Sequence, residues 1–123
     1  MNLEQIVAAH EELKEDILLR QVWEKRNLEL MAYLRRNFNF LFNAECNAEL
    51  VSGKYIPRDV YHFPPCIQFE YKTERFFIFP RPEGLGDEVE CTLSKANDCN
   101  QRVMINLSDA AGDVARFLRR FTT

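Results

Sequence analysis

Residues 2–36, NLEQIVAAHEELKEDILLRQVWEKRNLELMAYLRR, contain neither glycine nor proline. These two residues most often interrupt secondary structure, so this uninterrupted stretch decides the fold. Asn2 is a favourable helix N-cap residue, and Gln5 three positions later completes a capping-box pattern. The following residues recur at helical spacing and share one face: Leu3, Ile6, Ala9, His10, Leu13 and Ile17. This spacing predicts an amphipathic helix, in which Asp16 and Arg20 are placed to form an ion pair one turn apart.

The apolar face of this helix shifts further along the chain. Between residues 18 and 27 the hydrophobic side chains lie on another side of the helix: Leu18, Leu19, Val22 and Trp23. The first face returns at Leu28, Met31 and Leu34. Two structures fit this pattern: a bent arm broken near residues 24–27 with Asn27 as a second cap, or one long helix that is apolar on two sides. In the second structure the extra side must be covered by the sheet, by another copy or by a partner.

From Asn37 the hydrophobic period changes to two. Every second position is apolar: Phe38, Phe40, Phe42, Ala44, Cys46, Ala48 and Leu50. This alternation predicts a half-buried antiparallel strand. A helical continuation through residues 43–49 competes with the strand, because Ala, Asn and Glu are poor strand formers. Ser52 and Gly53 end the segment in either case.

The remaining elements follow from shorter patterns. Strands are predicted at Ile67–Tyr71 and Phe76–Phe79 around a turn at Thr73-Glu74, and then through Val89, Cys91, Leu93 and through Val103, Ile105, Leu107, with a turn at residues 97–100. Ser108 is predicted to cap a last helix. The predicted fold is a single α+β domain: an N-terminal long or bent helical arm (1–36), a four- to five-stranded, mostly antiparallel meander sheet (37–107) and a C-terminal helix (108–123) packed on the sheet.

Composition and charge exclude several classes of protein. The chain is 46% hydrophobic and 28% charged, which is typical of a globular protein and not of a disordered one. A net charge of −3 creates no general attraction to nucleic acid or to an anionic membrane. No signal peptide or membrane span is expected, and the four cysteines are too few for a secreted disulfide scaffold. We therefore expect a cytoplasmic protein with reduced thiols.

The sequence predicts no catalytic residue, no metal and no cofactor. Zinc sites use closely paired ligands such as C-x-x-C, and the nearest approaches here are Cys91 with Cys99 and His62 with Cys66. The latter pair is also a poor nucleophile and base, because Pro64 and Pro65 hold the segment extended. Gly84-Leu85-Gly86 resembles the start of a dinucleotide fingerprint but leads into a predicted strand. An enzyme with a thiol or metal centre is the third hypothesis.

The first hypothesis is a small non-catalytic protein that binds another protein, as inhibitors, immunity or antitoxin-like proteins and chaperone-type adaptors do, with a homodimer as one form. The predicted contact residues are Leu19, Val22, Trp23, Leu30 and Tyr33. They carry more apolar surface than one sheet covers, and contiguous apolar surface marks interaction sites. The alternative is an RNA or single-stranded DNA binding domain, with basic residues beside aromatic ones: Arg35, Arg36, Lys72, Arg75 and Arg81.

Overall fold

A computed structural model describes residues 2–56, 63–80 and 90–120 of the 123-residue chain. Its elements are α1 (Leu3–Asn37), a 3₁₀ turn (Asn39–Leu41), β1 (Glu49–Val51), β2 (Cys66–Tyr71), β3 (Glu74–Pro80), β4 (Cys91–Lys95), β5 (Asp98–Ile105), a second 3₁₀ turn (Leu107–Asp109) and α2 (Ala110–Arg119). The five strands form one antiparallel sheet in the order β1-β2-β3-β4-β5. This confirms the predicted α+β fold of a long helix, a meander sheet and a closing helix.

The long helix α1 is continuous from Leu3 to Asn37. The predicted capping box is present: the Gln5 N–H donates to Asn2 Oδ1 at 2.8 Å, and the Asn2 N–H donates to Gln5 Oε1 at 3.2 Å. The bent alternative is wrong, because Asn27 lies inside the helix with its side chain buried. The predicted pairing of Arg20 with Asp16 is also wrong, since the Arg20 Nε donates to Glu24 Oε1 at 3.2 Å.

The predicted long strand after the helix is wrong, and residues 43–49 are not helical either. The chain instead makes a 3₁₀ turn, and Asn43 then turns it again: its Oδ1 accepts the N–H groups of Glu45 and Cys46 at 2.8 and 2.9 Å. Asn47 has a φ of 47°, a left-handed conformation that asparagine tolerates better than most residues. Asparagine side chains bond to the backbone and so compete with a strand ladder, which leaves β1 with only three residues.

The later strands match their predictions more closely. β2 and β3 coincide with the predicted hairpin, but the turn is one residue earlier than expected, at Lys72 and Thr73, whose φ angles are 47° and 70°. The β4–β5 turn is at Ala96 and Asn97 and not at residues 97–100. β5 runs from Asp98 to Ile105, so the predicted strand position Leu107 lies in the second 3₁₀ turn. The predicted strand position Val89 and the residues Arg81, His62 and Gly84-Leu85-Gly86 lie outside the described residues.

The last helix starts two residues later than predicted. The Asn106 Oδ1 accepts the Ser108 N–H at 3.1 Å and caps the second 3₁₀ turn, so that Ser108 lies within that turn and α2 begins at Ala110. The Asn106 N–H donates to Asp113 Oδ2 at 2.7 Å, which ties the end of β5 to the first turns of α2.

One face of the sheet carries the core. The buried residues on this inner face include Ile67, Phe69, Phe76, Ile78, Cys91, Leu93 and Ile105. Two groups of residues pack on this same inner face. One part of the face is covered by Leu34, Phe38 and Leu41, and another part by Val114, Phe117 and Leu118 of α2. Phe76 lies against Phe69 and Phe117, with ring centroids 5.5 and 6.1 Å apart. The sheet, α2 and the end of α1 from Asn27 onward together form what we call the body.

The opposite, outer face of the sheet carries half-buried aromatic and polar residues. Phe77 and Phe79 alternate with the buried residues of β3, so they project from this face, with ring centroids 5.7 Å apart. In the register of the sheet, Phe77 lies beside Gln68 and Ser94, and Arg102 follows on β5. Residues 76–79 are therefore all apolar because Phe76 and Ile78 face the core while Phe77 and Phe79 lie on the outer face.

Candidate functional site

Only the last part of α1 belongs to the core. The buried residues of this 35-residue helix are Asn27, Leu30 and Leu34, while every residue from Asn2 to Glu15 is exposed. At about 1.5 Å per residue, residues 3–17 span about 21 Å of helix. We call this segment the outer half of α1. It extends away from a body that buries a core of its own.

A buried asparagine fixes the point at which α1 meets the body. The Asn27 Oδ1 accepts the Gly53 N–H at 2.8 Å, and the Asn27 Nδ2 donates to Ser52 Oγ at 3.1 Å. Asn27 is only 7% exposed, and a buried amide needs such partners. The approach is close enough to require glycine, because a Cβ on Gly53 would lie 2.6 Å from Asn27 Oδ1 and from the Phe63 carbonyl oxygen.

A tyrosine extends this attachment towards the outer half. The Tyr55 hydroxyl donates to Asp16 Oδ1 at 3.0 Å, its ring centroid lies 5.6 Å from that of Trp23, and the Arg20 guanidinium lies 5.9 Å from it. Partial burial raises the pKa of Tyr55, and the bond to Asp16 raises it further. These contacts hold one side of α1 between residues 16 and 27.

The outer half of α1 carries a row of exposed apolar side chains. Leu3, Ile6, Leu13 and Ile17 are between 50% and 75% exposed, and the exposed His10 lies among them. We call these five residues the stripe. At 3.6 residues per turn, the stripe is about 100° round the helix from the residues that enter the body. The body therefore does not use this side of the helix.

A second exposed apolar face lies further along α1. Leu18, Leu19 and Val22 are 54%, 59% and 70% exposed. They are the source of the two-sided pattern in the sequence. They are adjacent to the Trp23–Tyr55 contact but point away from the stripe, so the two faces do not form one continuous surface.

The charges of the outer half lie mainly away from the stripe. Five carboxylates and one lysine occur between residues 2 and 17: Glu4, Glu11, Glu12, Glu15, Asp16 and Lys14. Helices that lie on anionic lipid surfaces, or that contact phosphates, carry basic polar faces. The acidic polar face of the outer half lacks this basic character, and its apolar stripe fits packing against protein.

The five predicted contact residues have different environments. Leu19 and Val22 are exposed and available to a partner. Trp23 is half-buried against Tyr55, and Tyr33 is half-buried with the Arg36 guanidinium 5.7 Å from its ring centroid. Leu30 is only 4% exposed and belongs to the buried side of α1, which makes it unsuitable as a contact. The stripe, which the prediction did not select, presents four exposed apolar side chains, whereas only Leu19 and Val22 of the predicted contact residues are exposed.

The four basic residues of the alternative hypothesis that the structure describes each lie beside a neighbouring side chain. The Arg35 guanidinium lies 3.7 Å from the Phe42 ring centroid, and the Lys72 ammonium lies 5.7 Å from that of Tyr71. The Arg75 Nη2 lies 3.5 Å from Glu70 Oε1. Arg36 lies over Tyr33, as above, and Arg81 is outside the described residues.

Three of the four cysteines are protected thiols. Cys46, Cys66 and Cys91 are free and buried, and burial raises the pKa of Cys66 and raises that of Cys91 to about 12. A protonated, inaccessible thiol is a poor nucleophile. Among residues 2–56, 63–80 and 90–120, no three His, Cys, Asp or Glu side chains come together as a metal site.

Two further findings complete the description. No helix in the described ranges has both the length and the hydropathy that a membrane crossing requires. Comparison with protein-family models, with curated proteins and with solved structures finds no match for this chain.

Proposed function

We propose that this chain is a non-catalytic protein-binding protein whose contact surface is the stripe on the outer half of α1. The observation that carries the proposal is the half to three-quarters exposure of Leu3, Ile6, Leu13 and Ile17 on one side of a helix that projects from the body. The body has a core without them. Apolar surface that the fold does not use is characteristic of interaction sites.

The energetics favour a partner that covers this helix. The outer half of α1 gains no stability from the core of the body, so burial of its apolar stripe against another protein would stabilise it further. Burying a Leu or Ile side chain completely contributes about 1.5–3 kcal/mol. Side chains that are already half-covered by their own helix offer about 1 kcal/mol each on that scale. Binding through spaced apolar anchors on one helix face is an established recognition mode.

Within this class, inhibitors, antitoxin-like proteins and chaperone-type adaptors all act by covering part of another protein, and they need no catalytic group. The protected thiols and the acidic polar face of the outer half suit that kind of role. Leu19 and Val22 on the second face provide an additional contact surface.

The test is affinity capture from native lysate with three forms of the tagged chain, followed by mass spectrometry. Leu13→Glu places a charge in the stripe. Ala8→Glu places the same charge on the opposite side of the same exposed helix and serves as the matched control. We expect the wild type and Ala8→Glu to recover the same protein and Leu13→Glu to lose it. Equal recovery by all three forms would overturn the proposal, as would the lack of any enriched protein when an untagged copy of this chain is counted among the candidates.

The outer sheet face favours a second candidate, an RNA or single-stranded DNA binding domain. Phe77 and Phe79 form an aromatic pair on that face, Arg75 lies two residues before Phe77 on the same side, and Arg102 lies across the sheet. Aromatic rings on a sheet surface stack on unpaired bases, and arginines contact phosphates. Glu70, which is paired with Arg75, opposes this use.

Fluorescence anisotropy with labelled oligouridine and oligothymidine tests this candidate. Binding at low salt that weakens with added salt and in Phe77→Ala would support it. No binding at low salt would remove it. Since the Phe77 ring is half-buried, circular dichroism must show that Phe77→Ala is folded.

A further inference from the structure

The spacing of the stripe matches the seam of a coiled coil. Its members follow one another at intervals of three, four, three and four residues, from Leu3 through Ile6, His10 and Leu13 to Ile17. Alternating steps of three and four give the mean period of 3.5 residues that keeps one seam against a partner helix. The next two positions in this series are Arg20 and Glu24, which pair with each other. The seam therefore covers the outer half of α1 and stops there.

The residues that flank the stripe favour a close approach by another helix. Val7 and Lys14 border it on one side, and Ala9 and Asp16 border it on the other. Each side thus carries one charged and one small or apolar residue. The Asp16 carboxylate already accepts the Tyr55 hydroxyl. No block of like charge lines either flank, so two such helices can meet without strong repulsion at their seams.

We propose that the occupant of the stripe is the stripe of a second copy of this chain, with the two outer halves antiparallel. This inference rests on the proposed function and names the partner. In an antiparallel pair, Ile6 of one copy packs against Ile17 of the other, and His10 packs against Leu13. The stripe is then complementary to itself, because every contact occurs twice: Ile6 of the first copy meets Ile17 of the second, and Ile17 of the first meets Ile6 of the second.

Charge selects the antiparallel arrangement. In a parallel, in-register pair, Arg20 would face Arg20 of the second copy and Glu24 would face Glu24. The antiparallel pair places Arg20 beside Leu3 at the end of the other stripe instead. It also places Lys14 opposite Val7 of the second copy. Glu4 and Glu11 lie one helical turn on either side of that valine, so the lysine ammonium lies between two carboxylates.

The position of the body is compatible with the antiparallel arrangement. Each body is attached to α1 through the Tyr55 contact with Asp16 and then from Asn27 onward, towards the C-terminal end of the helix. An antiparallel pair separates the two bodies to opposite ends of the contact, whereas a parallel pair sets them side by side. The stripe covers only two heptads, fewer than the three or four that define a long coiled coil. The dimer is therefore in measurable equilibrium with the monomer.

Sedimentation velocity of the purified chain over a wide concentration range tests the dimer. We expect a concentration-dependent monomer–dimer equilibrium that Leu13→Glu abolishes and Ala8→Glu leaves within about twofold. His10→Leu replaces a polar residue inside the seam with an apolar one, and it should tighten the dimer at least about tenfold. A variant that merely misfolds would not produce that gain. A monomer at the highest concentration, for both the wild type and His10→Leu, would overturn the proposal.

Disulfide trapping tests the orientation. Ile6→Cys and Ile17→Cys chains are mixed and oxidised, with the wild type as the control for its own cysteines. The antiparallel pair is expected to give a cross-linked species with one chain of each kind. Cross-links of Ile6→Cys with itself and not with Ile17→Cys would refute the antiparallel arrangement.

The two proposals fail in different ways. A chain that is monomeric in sedimentation, yet captures a protein from lysate in a Leu13-dependent manner, refutes the self-pairing and supports the proposed function. A chain that neither dimerises nor captures a protein refutes both.

Discussion

Replacing Asn27 with alanine removes the hydrogen bonds that its side chain makes with Ser52 and Gly53, in the segment before β2. The side chain is 7% exposed, and both ends of its amide are used: the oxygen accepts the Gly53 N–H at 2.8 Å, and the nitrogen donates to Ser52 Oγ at 3.1 Å. Alanine keeps the helix but leaves the Gly53 N–H without its acceptor. The substitution therefore tests whether this hydrogen-bonded contact stabilises the body.

The expected loss is about 2 kcal/mol of unfolding free energy. Leaving a partly buried N–H unsatisfied costs about 1–3 kcal/mol, and the lost bond to the exposed Ser52 hydroxyl adds about 0.5 kcal/mol. The higher helix propensity of alanine recovers about 0.5 kcal/mol. For a chain of this length each kcal/mol corresponds to about 3–5 °C, so the melting temperature should fall by about 6–10 °C.

Urea unfolding followed by far-UV circular dichroism measures the change. Gln21→Ala, at an exposed position of the same helix, is the control and should alter stability by less than about 0.5 kcal/mol. Gly53→Ala disturbs the same contact from the other side, because its Cβ would lie 2.6 Å from Asn27 Oδ1. The double variant should therefore lose less than the sum of the single losses. An Asn27→Ala loss no larger than that of Gln21→Ala would refute the reasoning.

Three further predictions concern other parts of the body. Thr73→Gly should raise the unfolding free energy by about 1 kcal/mol, because a β-branched residue is strained at a φ of 70° in a two-residue hairpin turn; urea unfolding measures this. The Asn106 N–H, followed by Arg116, lowers the pKa of Asp113. Its stabilising contribution is therefore complete above the ordinary carboxyl pKa of about 4 and is lost as the pH falls through the lower folded-state value; unfolding of the wild type and Asp113→Asn at about pH 6 and about pH 2 measures it. Burial raises the pKa of the Cys91 thiol to about 12, so iodoacetamide at mildly alkaline pH should label Cys91 only after unfolding, as peptide mass spectrometry will show.

Each of these predictions has a clear contrary outcome. For the hairpin, the control is Thr92→Gly in the middle of β4, which should destabilise; a loss of stability in Thr73→Gly as well would show that the turn is not strained. For Asp113, a wild-type advantage that persists undiminished at about pH 2 would contradict the ionised pair. For Cys91, rapid labelling of the folded chain would contradict its burial.

The parts of the fold that depend only on residues close together in the chain can be predicted from the sequence. The capping box of Asn2 and Gln5 is decided within one helical turn, and the β2–β3 hairpin within a few residues on each side of its turn. For residues 37–50 the alternating pattern was outweighed by side-chain bonds from Asn43 and a positive φ at Asn47. Hydrophobic periodicity carries no information about such bonds.

The candidate site was predicted only in part, because its attachment is long-range. The partner of Asn27 is 26 residues away and that of Asp16 is 39 residues away, in a segment with no periodic signal. Without those contacts the sequence does not indicate which side of α1 faces the body. For that reason Leu30 was predicted as a contact although it is buried, and the exposed Leu3 and Leu13 were not selected.

The exposure of the outer half of α1 has a consequence for how this chain can evolve. Substitutions among Leu3, Ile6, His10, Leu13 and Ile17 change an exposed surface, and most such changes alter folding stability by less than about 0.5 kcal/mol. Asn27, by contrast, is constrained by the architecture. Under the proposed function, single substitutions in the stripe can change partner choice and leave folding stability almost unaltered, whereas a substitution at Asn27 cannot.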